Sequence, residues 1–350
     1  MTRPRIGWYV HHHGRGHVSR FLAVRPHLDA DVVVFSSMEA PAELPVGTEW
    51  VALPLDNEVE ERDGRVLDPY DPDAEATVRG RLHWAPIDHR GHRRRLGLIA
   101  ARADELDAFV VDVSVEVAVF VRLLGLPLAL FTQPGARVDV PHELAFAIAD
   151  RIIAPWPPGT HDTSVFGAGA EHLHTVGGIS RSVGRERPAV EPGTVLLLGG
   201  IGPVGEREAV WASLSERFPD VRWRSAGYLP GTFVDDPWEA ICRAEVVISA
   251  GGQNSVGDIA AAGRPAIVVA QERPFEEQVT TARVLDREGF AVSLDEWPDP
   301  DALAEALDRV RSRPTRWAEW GVDRGAATAA RLILDLVPAA ASSTTIPVVA

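Results

Sequence analysis

The run VVISAGGQNSVGDIAAAGRPAIVVA, residues 246–270, constrains this chain more than any other segment. Three β-branched residues, Val246, Val247 and Ile248, stop at a loop with almost no side chains, Ser249-Ala250-Gly251-Gly252. A helix opens at Gln253-Asn254-Ser255 and ends at Gly263, just before Pro265, since glycine closes a helix and proline cannot continue one. A second apolar strand follows over 266–270. Bare backbone N–H groups at the start of such a helix, with its partial positive charge, suit an anion. Asp258 stands about one turn into the helix, within reach of sugar hydroxyls. Glu276-Glu277-Gln278 follow the next strand. A site of this shape suits a nucleotide diphosphate with a sugar attached.

The rest of the chain repeats the alternation. Strands are expected over 6–10, 31–35, 50–53, 109–112, 126–131 and 151–154, with helices over 17–28, 93–106 and 115–124. The polar stretch 56–83 has little periodicity and reads as a long loop. Pro155-Trp156-Pro157-Pro158-Gly159 is one break and 188–193 another, with a single apparent strand near 173–176 between them. The pattern restarts with strands over 194–198 and 221–225 and helices over 206–217, 237–243, 275–288, 300–311 and 314–336. Strand–helix alternation implies parallel sheets covered by helices on both faces. The expected fold is α/β, with two tandem Rossmann-like doubly wound domains facing across a cleft. Residues 1–155 form the first domain, 156–192 the connection and 193–336 the second, whose last helix returns to the first. The small, polar tail 337–350 is expected to be disordered.

Bulk properties narrow the class. The 350 residues are long enough for two cores. A net charge of −15 argues against nucleic-acid binding. All 35 basic residues are arginine, which with the Ala, Gly and Pro load suits a GC-rich bacterial genome. The single cysteine, Cys242, rules out an internal disulfide and a Cys-based zinc site, and reads as a small buried residue. The N-terminus carries too short an apolar run for a signal peptide, and no run approaches membrane-spanning length. The expected location is cytoplasmic, either free or peripheral at the inner membrane face.

Candidate chemistry clusters at strand ends. The first loop is His11-His12-His13-Gly14-Arg15-Gly16-His17-Val18-Ser19-Arg20. Ser19 stands where a dinucleotide-binding fingerprint needs its third glycine, which argues against a nicotinamide cofactor. Three consecutive histidines in extended chain point to alternating sides, so His11 to His13 are not expected to share a metal. His17, at the helix start, can take a proton from a hydroxyl; helix capping or packing is the competing reading. Asp112 can orient His17 from the end of a neighbouring strand, or cap the next helix, a role that Ser114 suits as well. Gly199-Gly200-Ile201-Gly202 offers a second phosphate-facing loop. The basic run 90–95 suits an anionic acceptor, a membrane surface or a solvated helix face.

Taken together, SAGGQNSVGDIAAAGRPAIVV with EEQVTTA, GRGHVSR, LLGLPLALFTQPG, VGGISRS, LLLGGIG and TFVDDPWEAICRAEVVIS resemble GT-B glycosyltransferases, nearest to the MurG-like branch. That branch moves N-acetylglucosamine from UDP-GlcNAc to a lipid-linked acceptor. The resemblance spans most of residues 5–335 and is thinner over 40–105. It implies Asp258 on the ribose, Glu277 and Gln278 on the donor sugar and Val234 on the base. It also implies Gly199, Gly200, Gly251, Gly252, Asn254 and Ser255 on the diphosphate. His17 falls at the transfer point, with Asp112 behind it. His13, Arg15 and Gln133 fall on the acceptor side. Ile201 replaces a hydroxyl residue of the family pattern, GRGH replaces a fuller glycine run, and Glu277 stands where many relatives have Asp.

The implied activity is inverting, metal-independent transfer from a nucleotide-diphosphate sugar, UDP-linked in the first instance, to a hydroxyl acceptor. The acceptor is lipid-linked, a polysaccharide precursor or a small metabolite. No cofactor is expected beyond the nucleotide sugar, and no metal. Asp235-Asp236 reads as a structural turn, not a metal handle. Gly14, Gly16, His17 and Arg20 also resemble the GxGHxxR loop of nucleotide-sugar hydrolases of this fold, which keeps water as nucleophile in play. A 2-epimerase and a silent nucleotide-sugar binder are further alternatives.

Overall fold

The computed structural model describes residues 3–199, 201 and 205–338. Its first sheet has seven parallel strands in the order β3-β2-β1-β6-β7-β8-β9. These are β1 (Arg5–Tyr9), β2 (Asp31–Ser36), β3 (Thr48–Ala52), β6 (Ala108–Asp112), β7 (Leu128–Phe131), β8 (Arg151–Ala154) and β9 (Leu173–Thr175). The excursion between β3 and β6 carries a small antiparallel hairpin, β4 (Glu60–Arg62) and β5 (Arg65–Leu67). Helices α1 (Gly16–Val24), α2 (Arg90–Ala100), α3 (Val115–Leu123) and α4 (Val140–Ile148) cover the sheet. The central strands are apolar end to end, as parallel strands buried on both faces must be; all five residues of β6 are buried. Gly7 has no side chain because the Phe109 ring of the adjacent strand would lie 2.4 Å from its Cβ.

The second sheet has five parallel strands, ordered β11-β10-β12-β13-β14. They are β10 (Thr194–Leu198), β11 (Arg222–Ala226), β12 (Val246–Ser249), β13 (Ala266–Val269) and β14 (Val292–Leu294). Helices α5 (Arg207–Arg217), α6 (Trp238–Arg243), α7 (Gln253–Ala262), α8 (Glu277–Arg287) and α9 (Pro300–Arg311) flank it. The last helix, α10 (Val322–Leu334), lies elsewhere. Its buried stripe Ala326, Ala329, Ala330 and Ile333 shares a core with Ile6 and Trp8 of β1 and Phe21 of α1. The small side chains let the helix approach closely: a Cβ on Gly325 would sit 2.0 Å from the Gly178 carbonyl oxygen.

Several boundaries differ from the periodicity. The first helix ends at Val24 and tightens into a 3₁₀ turn over Arg25–His27, since Pro26 lacks the N–H that an α-helix would use. The stretch 314–336 breaks at Gly321, left-handed at φ 70°, with a 3₁₀ turn (Trp317–Trp320) before it. α4 and β14 are short, and the pattern does not announce them. β9 pairs with β8, so the first domain's sheet runs past residue 155 into the stretch assigned to the connection. Most of the tail, residues 339–350, lies outside the described residues.

Gly325→Val should destabilise the protein by about 1–3 kcal/mol, because backbone blocks the added atoms. A Cβ on Gly97 meets nothing within 4 Å, so Gly97→Ala should stabilise by up to about 1 kcal/mol. Thermal unfolding of the two variants checks both signs.

Candidate active site

α1 starts where β1 ends, which puts His17 at the mouth of the sheet beside the end of β6. His17 Nδ1 lies 2.9 Å from Asp112 Oδ1. The carboxylate oxygen accepts, so Nδ1 carries the proton and Nε2 keeps its lone pair. Asp112 does not cap α3, because Ser114 does so, accepting from Val117 N–H. Arg20, one helical turn after His17 and therefore on the same face, donates to the same Asp112 oxygen. Burial pushes the Asp112 carboxyl up, but Arg20 and His17 beside it hold it below its ordinary value. Val113, next in the chain, has φ 60°, a strained state for a β-branched residue that costs about 1–3 kcal/mol. The strain falls at the dyad.

Arg20 also crosses the cleft, donating to Gln253 Oε1 at 2.6 Å. Gln253 opens α7, whose first turn has no side-chain cap. The N-termini of α1 and α7 therefore face each other, so closely that a Cβ on Gly16 would meet the Asn254 side chain at 2.5 Å. Gly251 is left-handed at φ 80°, and its missing Cβ leaves room for Val268. Asp258 lies four residues after Asn254 on the same face of α7. It accepts from Ser180 Oγ–H at 2.5 Å, and burial raises its carboxyl despite that bond. Val234 and Phe233 are exposed, on the loop that leads to α6.

Two assignments need correction. Gly199 N–H bonds the Ala226 carbonyl at 2.8 Å, so it is engaged within the sheet and not presented to a phosphate; Gly200 lies outside the described residues. Arg15 is not on the acceptor side: it contacts Asp235 across the cleft and stacks over Phe233 at 5.4 Å. Asp236 pairs with Arg185 at 2.8 Å. Both acids of the Asp235-Asp236 turn thus face arginines.

A cavity of about 1120 Å³ opens between the sheet ends, lined by His13, His17, Gln133, Glu277 and Gln278 among others. The proposed base, two acceptor-side residues and both sugar-reading residues share this one space. Its far wall comes from the excursion after β3, with Asp56, Tyr70 and Trp84. Gln278 is held by the Gln271 N–H, which donates to its Oε1 at 3.1 Å. Burial raises the Glu277 carboxyl, and Arg137 opposes the shift. Phe275 and Glu276, just before α8, sit at φ 61° and 55°, and Ala136 N–H donates to the Phe275 carbonyl at 2.8 Å. A strained turn of the second domain is thereby pinned to the loop after β7.

The three histidines do gather, against the alternation argument. Ring centres of His11 and His12 are 5.0 Å apart, those of His12 and His13 4.3 Å, and His11 lies 5.6 Å from His17. The chain leaves extended geometry after Tyr9, and His13 N–H folds back onto His11 Nδ1 at 3.1 Å. Asp56 and His92, from the 56–95 stretch expected to carry the acceptor pocket, line the cavity, and Glu116, Asp139 and His142, which had no role in the sequence reading, converge here as well. The helical spacing of His92 and Arg95 is a further legible trace. His83, Asp139 and His142 bring ligand atoms within 4.8 Å of one another. Arg137, which can only donate, bonds His142 Nε2 at 2.9 Å. That fixes the His142 proton on Nδ1, which bonds Asp139 at 2.8 Å. Asp139 caps α4, and the one lone pair of the His142 ring accepts from Arg137.

Residues 215–332 match the glycosyltransferase family 28 C-terminal domain. A curated relative from Yersinia enterocolitica is the UDP-N-acetylglucosamine–N-acetylmuramyl-(pentapeptide) pyrophosphoryl-undecaprenol N-acetylglucosamine transferase. It is 27% identical over 55% of this chain and 59% of its own length. The Rubrobacter xylanophilus enzyme of the same name is 27% identical over 53% of this chain and 60% of its own. The matches thus span less than two thirds of these relatives. Two solved structures share the fold: a kitacinnamycin glycotransferase, with TM-score 0.66, 18% identity and 96% and 100% coverage, and Acinetobacter baumannii MurG, with 0.60, 15%, 95% and 100%.

Burial is the main reason that His12, His142 and His161 are each pulled down to about 4. Above pH 6.5 these groups are neutral both folded and unfolded and contribute nothing. Between 6.5 and 4 the unfolded chain binds protons that the folded protein refuses, so stability should fall as pH falls. The Tm should drop steadily across that window, with more than one proton taken up per unfolding event. A flat Tm between pH 6.5 and 4 would contradict the burial of these rings.

Proposed function

We propose that this chain, a MurG-like protein of the GT-B glycosyltransferases, transfers a sugar from a nucleotide-diphosphate donor, UDP-linked in the first instance, to a hydroxyl acceptor. The supporting observation is the His17–Asp112 pair at the α1 N-terminus, directly opposite the uncapped α7 N-terminus. The acceptor hydroxyl attacks the anomeric carbon in line as its proton passes to His17 Nε2. The bond from that carbon to the donor phosphate breaks, and the nucleoside diphosphate leaves with the electron pair. One displacement inverts the anomeric configuration. Asp112 holds the tautomer and stabilises the imidazolium that forms.

The first-turn amides at Gln253, Asn254 and Ser255 and the Gly251-Gly252 loop stabilise the leaving diphosphate through fixed dipoles. In this reading charge stabilisation comes from the protein without a metal. Asp258 binds the ribose, Val234 the base, and Glu277 and Gln278 the donor sugar. His13 and Gln133 belong to the acceptor cavity. No helix of the described residues is long and apolar enough to cross a membrane. The curated relatives act on a pyrophosphoryl-undecaprenol acceptor by name; a lipid-linked acceptor is one candidate here.

His17→Ala should lower the rate of transfer on the order of 10²–10⁴-fold while thermal stabilisation by UDP is unchanged. Equal loss of UDP binding would make His17 a packing residue. Release of UDP from a UDP-sugar should depend on an added hydroxyl acceptor; release at full rate without one would favour the hydrolase.

A further inference from the structure

Phe275 belongs to the second domain by sequence and to the first by its contacts. Its carbonyl accepts the Ala136 N–H at 2.8 Å. Its ring meets the His142 ring edge-on with centres 4.7 Å apart, the His83 ring at 5.4 Å and the Arg137 guanidinium at 4.9 Å. All four partners lie in the first domain. The approach leaves no room for a side chain at Gly135, whose φ is 116° and whose added Cβ would stand 2.0 Å from the Phe275 carbonyl oxygen. The socket is held from behind, since Arg137 bonds both the Gln133 carbonyl and His142 Nε2, and His142 Nδ1 bonds Asp139.

The turn that carries this ring has little to hold it on its own side. Phe275 and Glu276 are consecutive left-handed residues, neither of them glycine, at φ 61° and 55°. That conformation persists only where surrounding contacts over-determine it. Locally, the Glu276 N–H bonds the Arg273 carbonyl at 3.1 Å, and α8 opens at Glu277 without a side-chain cap. The first-domain socket supplies what the turn lacks. One residue separates Phe275 from Glu277, and Gln278 follows; both line the cavity. Their facing therefore depends on where the Phe275 ring is seated.

We propose that Phe275 is a positioning residue, and that its docking in the first domain sets Glu277 and Gln278 against the donor sugar. The nucleotide, held by α7, binds whether or not the ring is seated; the sugar does not. Sugar recognition is thereby tied to an assembled site, with the first domain in place. The inference rests on the transferase reading of the cavity, in which Glu277 and Gln278 contact the donor sugar.

Backbone hydrogen exchange without nucleotide reports the turn itself. Gly135→Ala alters only the first domain, yet it should speed exchange of the amides at 276–278 at least fivefold, as should Phe275→Ala. Calorimetric titration with UDP, UDP-glucose and UDP-N-acetylglucosamine reports the sugar. In both variants the tighter-binding UDP-sugar should lose at least fivefold in affinity, while UDP stays within twofold and so confirms that the variant is folded. Phe275→Leu should recover part of the loss. The double variant should be no weaker than the worse single one, because both break the same contact. Phe275→Ala carries the same test should Gly135→Ala not fold. In the folded variants, unchanged exchange, equal weakening of UDP and UDP-sugar, or unchanged UDP-sugar affinity would overturn the proposal. A wild type that binds UDP but neither UDP-sugar would sink this proposal alone. A wild type that binds none of the three would sink the transferase reading instead, and the exchange result would still decide whether Phe275 positions the turn.

Discussion

One carboxylate oxygen, Asp112 Oδ1, organises this molecule. It receives the His17 Nδ1–H and the Arg20 guanidinium from successive turns of α1. A bare carboxylate at that depth would be costly, and the cost is met only where charge and hydrogen bonds converge on it. Arg20 supplies the charge and extends the link to Gln253 in the other domain. Packing of Arg20 over Phe131 at 5.5 Å fixes its direction. The proton-accepting face of His17, the position of Arg20 and the approach of α1 to α7 thus depend on one shared atom.

Backbone strain is distributed to the same purpose. Val113 and the Phe275-Glu276 pair are left-handed non-glycine residues beside the cavity wall. The first aims Asp112 away from the helix it would otherwise cap, and leaves that cap to Ser114. The second turns the chain so that Glu277 and Gln278 open α8 facing the cavity. Each is held by contacts on both sides: the α3 cap in one case, the 133–137 loop in the other. Strain held in this way supports a preformed site.

The fold was legible because its signals are local. β-branched runs ending at glycine loops gave the parallel strands, and 246–270 gave β12, α7 and β13 nearly to the residue. His17 and Asp112 were legible as neighbours because strand ends of one sheet share an edge. The outward turn of Arg15, the engagement of Gly199 N–H with Ala226 and the stacking of His11 to His13 were not. Each depends on a loop conformation or on a partner far along the chain, which periodicity does not encode. The stretch that forms the cavity wall, 56–95, was legible as the acceptor region, but not the contacts within it. Asp56, His92 and Arg95 meet only because the excursion after β3 folds back on α2, fixed by His89 Nε2 at the Glu58 carbonyl and by Glu60 on the helix start.

The most direct test of this account is the tautomer of His17, read by nitrogen-15 NMR of the histidine rings at neutral pH and assigned by comparison with His17→Gln. The account predicts Nδ1 protonated and hydrogen-bonded, with Nε2 bare and facing the cavity. A proton resident on Nε2, or a ring that averages freely between tautomers, would mean that Asp112 does not orient His17, and the proposed base would have to be sought elsewhere.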